Sequence, residues 1–515
     1  MFSARGALAL GCVLAWLIAP VAAERALAEE VGGKYFGIHI VDAKTGRGVP
    51  LISLRTVNDA VYVTDSAGWA AFNEPDLAGQ EVFFHISGPG YEVEKDGFGF
   101  RGARLTIAPG KTATVKIRRK NIAQRMYRIT GQGIYRDSEL LSKELPLRPP
   151  QRGLQIVGQD SVQAVRFREQ IFWLWGDTNL ARYPLGNFKV TAATSGLPDP
   201  QIFRPAQGVP LTYLTDADEA SAIRKMMPLE EPGAVWLFGL FAIEDDKGKE
   251  TLIAHYSRQQ TLGKVLEHGL ARYDPAHTLF RRLKVLDAEE TWRHPRGNAF
   301  HVSEGGARYV YFVQSFANVR VKAQWASVMD PAHYEALAWD AEVGEYRWQN
   351  TLPPTTQSQE SKLIAAGKLP AAKARYQLVD AASDKGVTVH RSSIAWNDFR
   401  QRYVMIATQE GNSESPSYLG EVWYAEAAHP SGPWSKAVKV ASHPRYSFYN
   451  QRVHTFFNDS DGRSIYFEGT YTRMFSKSPI ATPRYDYNQL MYRLDLGDKR
   501  LEALQVKSNL AREIE

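Results

Sequence analysis

A two-strand unit recurs along this chain, and the recurrence limits its fold more than any other feature. QAVRFREQIFWLWGDT (163–178) reads as a strand, a polar turn at Arg168-Glu169-Gln170 and a second strand. NAFHVSEGGARYVYFVQS (298–315) turns at Glu304-Gly305-Gly306, SSIAWNDFRQRYVMIATQE (392–410) at Asn397-Asp398, and HTFFNDSDGRSIYFEGT (454–470) between Asp459 and Gly462. A weaker copy has its second strand at AVWLFGLFAIE (234–244). The third strands expected after these units are FKVTAATS, TLIAHYSR, EALAWDAE, EVWYAEA and NQLMYRLDL. Five antiparallel units, about 60 to 95 residues apart, cannot each bury two faces alone; radial stacking into a five-bladed β-propeller over residues 150–500 solves that. An irregular array of β-sandwiches is the alternative. The polar stretch 351–385, with a helical ending, reads as an insertion between blades three and four.

Before the repeat, residues 33–119 alternate short strands with turns: FGIHIVDA, the turn Lys44 to Gly48, VPLISLRTV and AVYVTDSAGWAAF. Glycines at the turns and β-branched or aromatic residues between them predict an N-terminal β-sandwich, so the chain is expected to be all-β. The order VDAKTGRGVP then VTDSAGWAAF resembles carboxypeptidase-regulatory-like, transthyretin-like modules, which implies a spacer or adhesion role and no catalysis.

Residues 1–23 combine Arg5, an apolar run and the small-residue ending Val21-Ala22-Ala23, the pattern of a cleaved signal peptide; a second cleavage site fits after Ala28. The alternative is a membrane anchor, against which Pro20 and its following alanines weigh. The single cysteine, Cys12, lies inside the apolar run, so the mature chain would lack thiols and disulfides. A secreted or periplasmic, soluble protein is expected. The net charge of +6 comes from scattered Lys and Arg, with no basic stripe for nucleic acid. The 12 Trp, 24 Tyr and 23 Phe would serve sugar stacking, although β cores absorb most aromatics.

In a propeller, the start of each inner strand and the end of the second emerge on one face, where loops carry function. Those positions hold Asp160 and Asp177 in blade one, with Asn179 and Tyr183 just beyond. Blade four places His390, Arg391, Gln409, Glu410 and Glu421 there; blade five places Asn450, His454 and Glu468. Carboxylates converging with an Arg and two His on a channel mouth suit glycoside hydrolysis, in which one carboxyl stays protonated and another ionised. Asp160, Asp177, Glu468 and Glu421 are the catalytic candidates; Asn179, Tyr183, His390, Arg391, Asn450 and His454 are the sugar-binding ones. Ser161 beside Asp160, and Thr178 and Asn179 beside Asp177, would hydrogen-bond an ionised carboxylate, making either Asp the base. Glu468, between an apolar strand and Gly469, would be the acid. Each has a plainer alternative: a turn cap for Asp177, an ion pair for Arg391 and Glu421, a core histidine for His454. No nucleophile elbow, zinc motif, phosphate loop or dinucleotide fingerprint is present, and no cofactor is expected; DSDGR (459–463) only partly matches a calcium loop. The channel leaves room for a structural cation.

GQDSVQAVRFREQIFWLWGDTN resembles the opening blade of furanosidase-like five-bladed propellers, including the domain of unknown function 4185 group, with glycoside hydrolase families 43 and 117 more distant. The resemblance implies functional roles for Asp160 and Asp177. No match to the family 43 general-acid motif is found, which leaves the acid open between Glu468 and Glu421. YRITGQGIYRDSELL, LGEVWYAEA, FYNQRVHTFF and YFEGTYTRMFS also look like a group of exported bacterial proteins without an assigned activity. An exported glycoside hydrolase acting on a polysaccharide or oligosaccharide is the leading expectation. A non-catalytic carbohydrate-binding propeller and a polysaccharide lyase using His454 and Tyr449 are the alternatives.

Overall fold

The computed structural model describes residues 33–148, 153–182, 190–199, 203–216, 222–261, 263–287, 289–411 and 419–504. Residues 1–23, read above as a signal peptide, and Tyr183 lie outside them. Among the described residues, no helix is long and apolar enough to cross a membrane. The chain divides into two compact units, one of residues up to 120 together with 133–148, the other of 121–132 and 149 onward.

The first unit is a sandwich of two four-stranded sheets. In one, the strand Phe36–Asp42 lies between Trp69–Phe72, antiparallel, and Thr112–Arg119, parallel. The other centres on Ser53–Thr56 and Glu81–Ser87. Alternate residues of both sheets point inward, and Phe36, Ile38, Ile40, Leu54, Phe72, Phe84 and Ile86 form one core between them.

The second unit is a five-bladed propeller. Five sheets follow in chain order, with inner strands Gln163–Phe167, Ala234–Glu244, Asn298–Glu304, Val389–Asn397 and Ser447–Val453. Apolar side chains fill the spaces between neighbours: Phe172, Leu174, Leu237 and Tyr256 between blades one and two, Phe241, Ile253, Phe312 and Val319 between two and three, and Tyr311, Phe316, Met405 and Trp423 between three and four.

The ring is closed by a strand that the hairpin pattern does not foretell. Gln124–Arg128 pairs antiparallel with Asn488–Asp495, giving blade five its fourth strand from the other end of the chain. The backbone N–H of Ile129 continues this pairing by donating to Gln489 O at 2.8 Å. Ile129→Pro is expected to lower stability by about 1–3 kcal/mol in a urea melt, because the Gln489 carbonyl loses its donor.

Three strand assignments need correction. AVWLFGLFAIE is the inner strand of blade two, with Glu250–Thr261 as its second. EALAWD is the fourth strand of blade three, because Ala317–Lys322 takes third place. In blade five the inner strand is Ser447–Val453; Thr455–Phe457 is a short 3-10 turn, so His454 follows that strand rather than opening it. The insertion before blade four has its helix near its start, at Gln357–Ala365, rather than at its end; a capping box on Thr356 and Gln359 opens that helix, and the short strand Val379–Asp380 then joins blade four's outer edge.

Candidate active site

The centre of the propeller is filled by polar side chains from the inner strands. Arg452 donates to Ala164 O at 2.9 Å and Ala299 O at 3.3 Å, tying blade five to blades one and three. Asn298 Nδ2 donates to Gln451 O at 3.0 Å, and Gln451 Nε2 donates to the carbonyls of Arg391 and Ile406. Carbonyls at a crowded axis need such donors where the ladder does not serve them. The Arg452 guanidinium supplies positive charge where the sequence left room for a cation. Among the described residues no group of three His, Cys, Asp or Glu could hold a metal.

Above this plug lies a cavity of about 60 Å³ to which all five blades contribute, through Ser161, Phe238, Arg296, Asn298, Arg391 and Asn450 among others. Two inner strands are bulged at this level, between Phe238 and Phe241 and between Tyr449 and Arg452; a third shifts register between Val389 and Arg391. Bulges re-aim side chains, and here they lie where the strands meet the cavity. Ser161 and Asn450 both take positive φ, 56° and 50°, and Asn450 Nδ2 donates to Ser161 Oγ at 2.6 Å. Non-glycine residues in that region are strained, and such strain gathers at functional sites.

Ser161 leads directly to the acidic pair. Asp160 and Asp177 meet at the start of the inner strand and the end of the second strand of blade one. The two segments clamp each other through three backbone donors: Asp160 N–H to Asp177 O at 3.0 Å, Gly176 N–H to Asp160 O at 2.8 Å, and Asp177 N–H to Asp160 Oδ1 at 2.8 Å. Glycine is required at 176, where a Cβ would lie 2.7 Å from Asp160 Oδ1. Asp160 is buried and also accepts from Tyr449 Oη at 2.8 Å. Asp177 is half-buried and accepts from Trp236 Nε1 at 3.0 Å across the gap to blade two.

Electrostatics distinguish the two acids. Burial, followed by the charge of Asp160, pushes the Asp177 carboxyl up to about 7, against the smaller pull of the Trp236 donor. Burial also raises Asp160, but hydrogen bonds from Tyr449, Asp177 and Ser161 oppose it. The expectation that adjacent donors would lower the pKa of Asp160 or Asp177 and so make one of them the base is corrected in one respect: burial raises both, outweighing the donors. The pair offers one reachable carboxyl that holds a proton near neutrality and one enclosed carboxyl rich in donors.

The remaining sequence candidates separate. Arg391 and Asn450 line the cavity. His390 is half-buried beside it, its imidazole pushed down to about 4 by burial and then by Arg391. Asn179 lies on a two-stranded ribbon outside the blades, opposite Gly158. Glu468 sits within the strand Ser464–Thr472, not at its end, and is fully enclosed with His454, whose Nε2 lies 2.8 Å from Glu468 Oε1. The His454 ring packs on Trp173, Phe456 and Phe457. Burial drives both groups toward their neutral forms, Glu468 upward and His454 downward. Neither lines the cavity. Glu421 is also away from it, in the third strand of blade four, held by Lys439 Nζ at 3.0 Å and Ser442 Oγ at 3.0 Å.

Trp236, Tyr449 and Arg296 join the site without having been sought for these contacts. Arg296 could have been found: in HPRGN it immediately precedes an inner strand, the position that Asp160 to Val162 occupy in blade one.

No protein-family model and no curated protein matches this chain. Several solved structures are similar to it. An exo-β-1,3-galactanase from Clostridium thermocellum shares 10% identity over 72% of this chain and 62% of its own, with a TM-score of 0.37. An exo-1,5-α-L-arabinanase from a bovine ruminal metagenomic library shares 11% over 66% and 94%, with a TM-score of 0.33. A thermostable family-43 glycoside hydrolase shares 11% over 65% and 88%, with a TM-score of 0.31. The chain spans about three fifths of the galactanase's length. At such identities the likeness says nothing about individual site residues.

Proposed function

We propose that this chain is an exported enzyme that hydrolyses glycosidic bonds of a polysaccharide at the mouth of its propeller channel. One observation carries the reading: Asp177, half-buried and clamped to Asp160, the residue that precedes cavity-lining Ser161, is held protonated to about pH 7 by burial and by Asp160. A carboxyl that keeps its proton near neutrality can protonate the oxygen of a departing sugar. In this reading Asp177 is the general acid. Asp160 is the partner that ionises first: its three donors offset part of its burial, and its charge keeps the proton on Asp177. Phe475, 40% exposed and edge-on to Tyr449 at 5.0 Å, supplies an aromatic face for a sugar ring. The sandwich unit, with its carboxypeptidase-regulatory-like pattern, fits a spacer or adhesion module.

The experiment is a screen of purified protein against polysaccharides, following reducing ends and absorbance near 235 nm together. New reducing ends without absorbance support hydrolysis. Unsaturated, absorbing products would instead establish a lyase, and retention of glycans without cleavage a binding propeller.

A further inference from the structure

Among the described residues, two arginines at the cavity have no counter-charge. Arg296 and Arg391 come from blades three and four and line the same small space. Among the described residues, neither guanidinium has a hydrogen-bond acceptor or a carboxylate in reach. Arg296 lies over the Phe238 ring, 5.5 Å from its centroid, and only the backbone carbonyl of Arg391 is engaged, by Gln451. Each other's neighbour is therefore a like charge. Burial pushes Arg391 down to about 10, and the charge of Arg296 adds to that. Desolvating two unpaired cations side by side destabilises a fold, so a site that keeps them is built for an anion that arrives from outside.

We infer that Arg296 and Arg391 clamp an anionic substituent of the sugar, a carboxylate or a sulfate ester, and that the substrate is therefore an acidic polysaccharide. The inference rests on the hydrolase reading of the neighbouring acids and names the substrate of that same site. The size of the space agrees: about 60 Å³ accepts such a substituent but not a sugar ring. Guanidinium forks suit flat or tetrahedral oxyanions through paired N–H donors. Ser161 and Asn450, bonded to each other, share the cavity wall with the two arginines.

The full chain is run through native gels containing polygalacturonate, which offers carboxylates, carrageenan, which offers sulfate esters, or neutral galactan. Retardation by one of the two anionic polymers at a concentration at least about tenfold below that needed with galactan is expected, and the polymer that acts identifies the anion. Arg391→Gln and Arg296→Gln should each abolish this preference. Arg166→Gln, which removes the same charge at an exposed position in blade one, should keep it. Thermal melts supply a readout that a structural role would reverse: Arg391→Gln should raise Tm, because an unpaired, half-buried charge is gone. Equal retardation by galactan, unchanged retardation of both cavity variants, or equal loss in Arg166→Gln would overturn the inference. Should Arg391→Gln fail to fold, Arg296→Gln, at a half-exposed site, decides alone. Cleavage of neutral galactan without anionic preference would sink this inference and leave the hydrolase standing; anionic preference without cleavage of any polymer would do the opposite.

Discussion

Asp177→Asn is expected to cut polysaccharide cleavage by about 10²- to 10⁴-fold, the contribution of a positioned general acid, while the protein stays folded. Asparagine matches the protonated acid in shape and still accepts from Trp236, so the local packing persists. The pH profile separates a lost acid from a lost fold. Wild-type activity should fall as pH rises through about 7, where Asp177 gives up its proton, and the residual activity of the variant should not show that limb. Stability moves in a defined direction too. The folded-state value lies above the ordinary 3.8, so the native chain binds a proton that the unfolded chain has released. Wild type therefore loses stability as pH rises from about 4 to 7 and levels off above; the asparagine variant should lose less. Chemical denaturation at pH 5 and pH 8 checks this. Near-full activity of Asp177→Asn would remove Asp177 from the chemistry.

Arg452→Met should be the most damaging single change in the propeller, by about 3–5 kcal/mol in chemical denaturation. The methionine fills part of the same volume but leaves the carbonyls of Ala164 and Ala299 without donors in an enclosed space. Glu468→Gln, by contrast, should leave cleavage within a few-fold of wild type: the amide can replace the neutral acid opposite His454, and the residue does not reach the cavity. A hundredfold loss in Glu468→Gln would restore it as the acid.

The hairpins were legible because short apolar strands are broken at regular intervals by polar turns, a signal that persists although neighbouring blades bury both faces of many strands. Blade two was harder: AVWLFGLFAIE and TLIAHYSR are long and apolar, so order within the sheet leaves no mark in the pattern. Blade five was misplaced for a different reason. SFYNQRV does not look like an inner strand, because Asn450, Gln451 and Arg452 interrupt its apolar run; those residues are polar since they face the axis and feed its carbonyls. Starting that blade at His454 then pushed Glu468 toward a strand end that it does not occupy. Asp160 and Asp177 could be placed from strand direction alone. Their proton affinities could not, because the sequence shows the donors beside them and hides how deeply they are enclosed.

The pairing of residues 128 and 490 has a consequence for the order of events in folding. The first propeller strand made by the ribosome must wait for nearly the last. Until the chain has reached about residue 495, Gln124–Arg128 has no ladder partner, and blade five presents an open edge to any other strand in reach. Ring closure is thus the slowest contact to form, set by a loop that spans almost the whole propeller. Chains cut short near their C-terminus would carry four complete blades and two unsatisfied edges, a form prone to pair with its own copies.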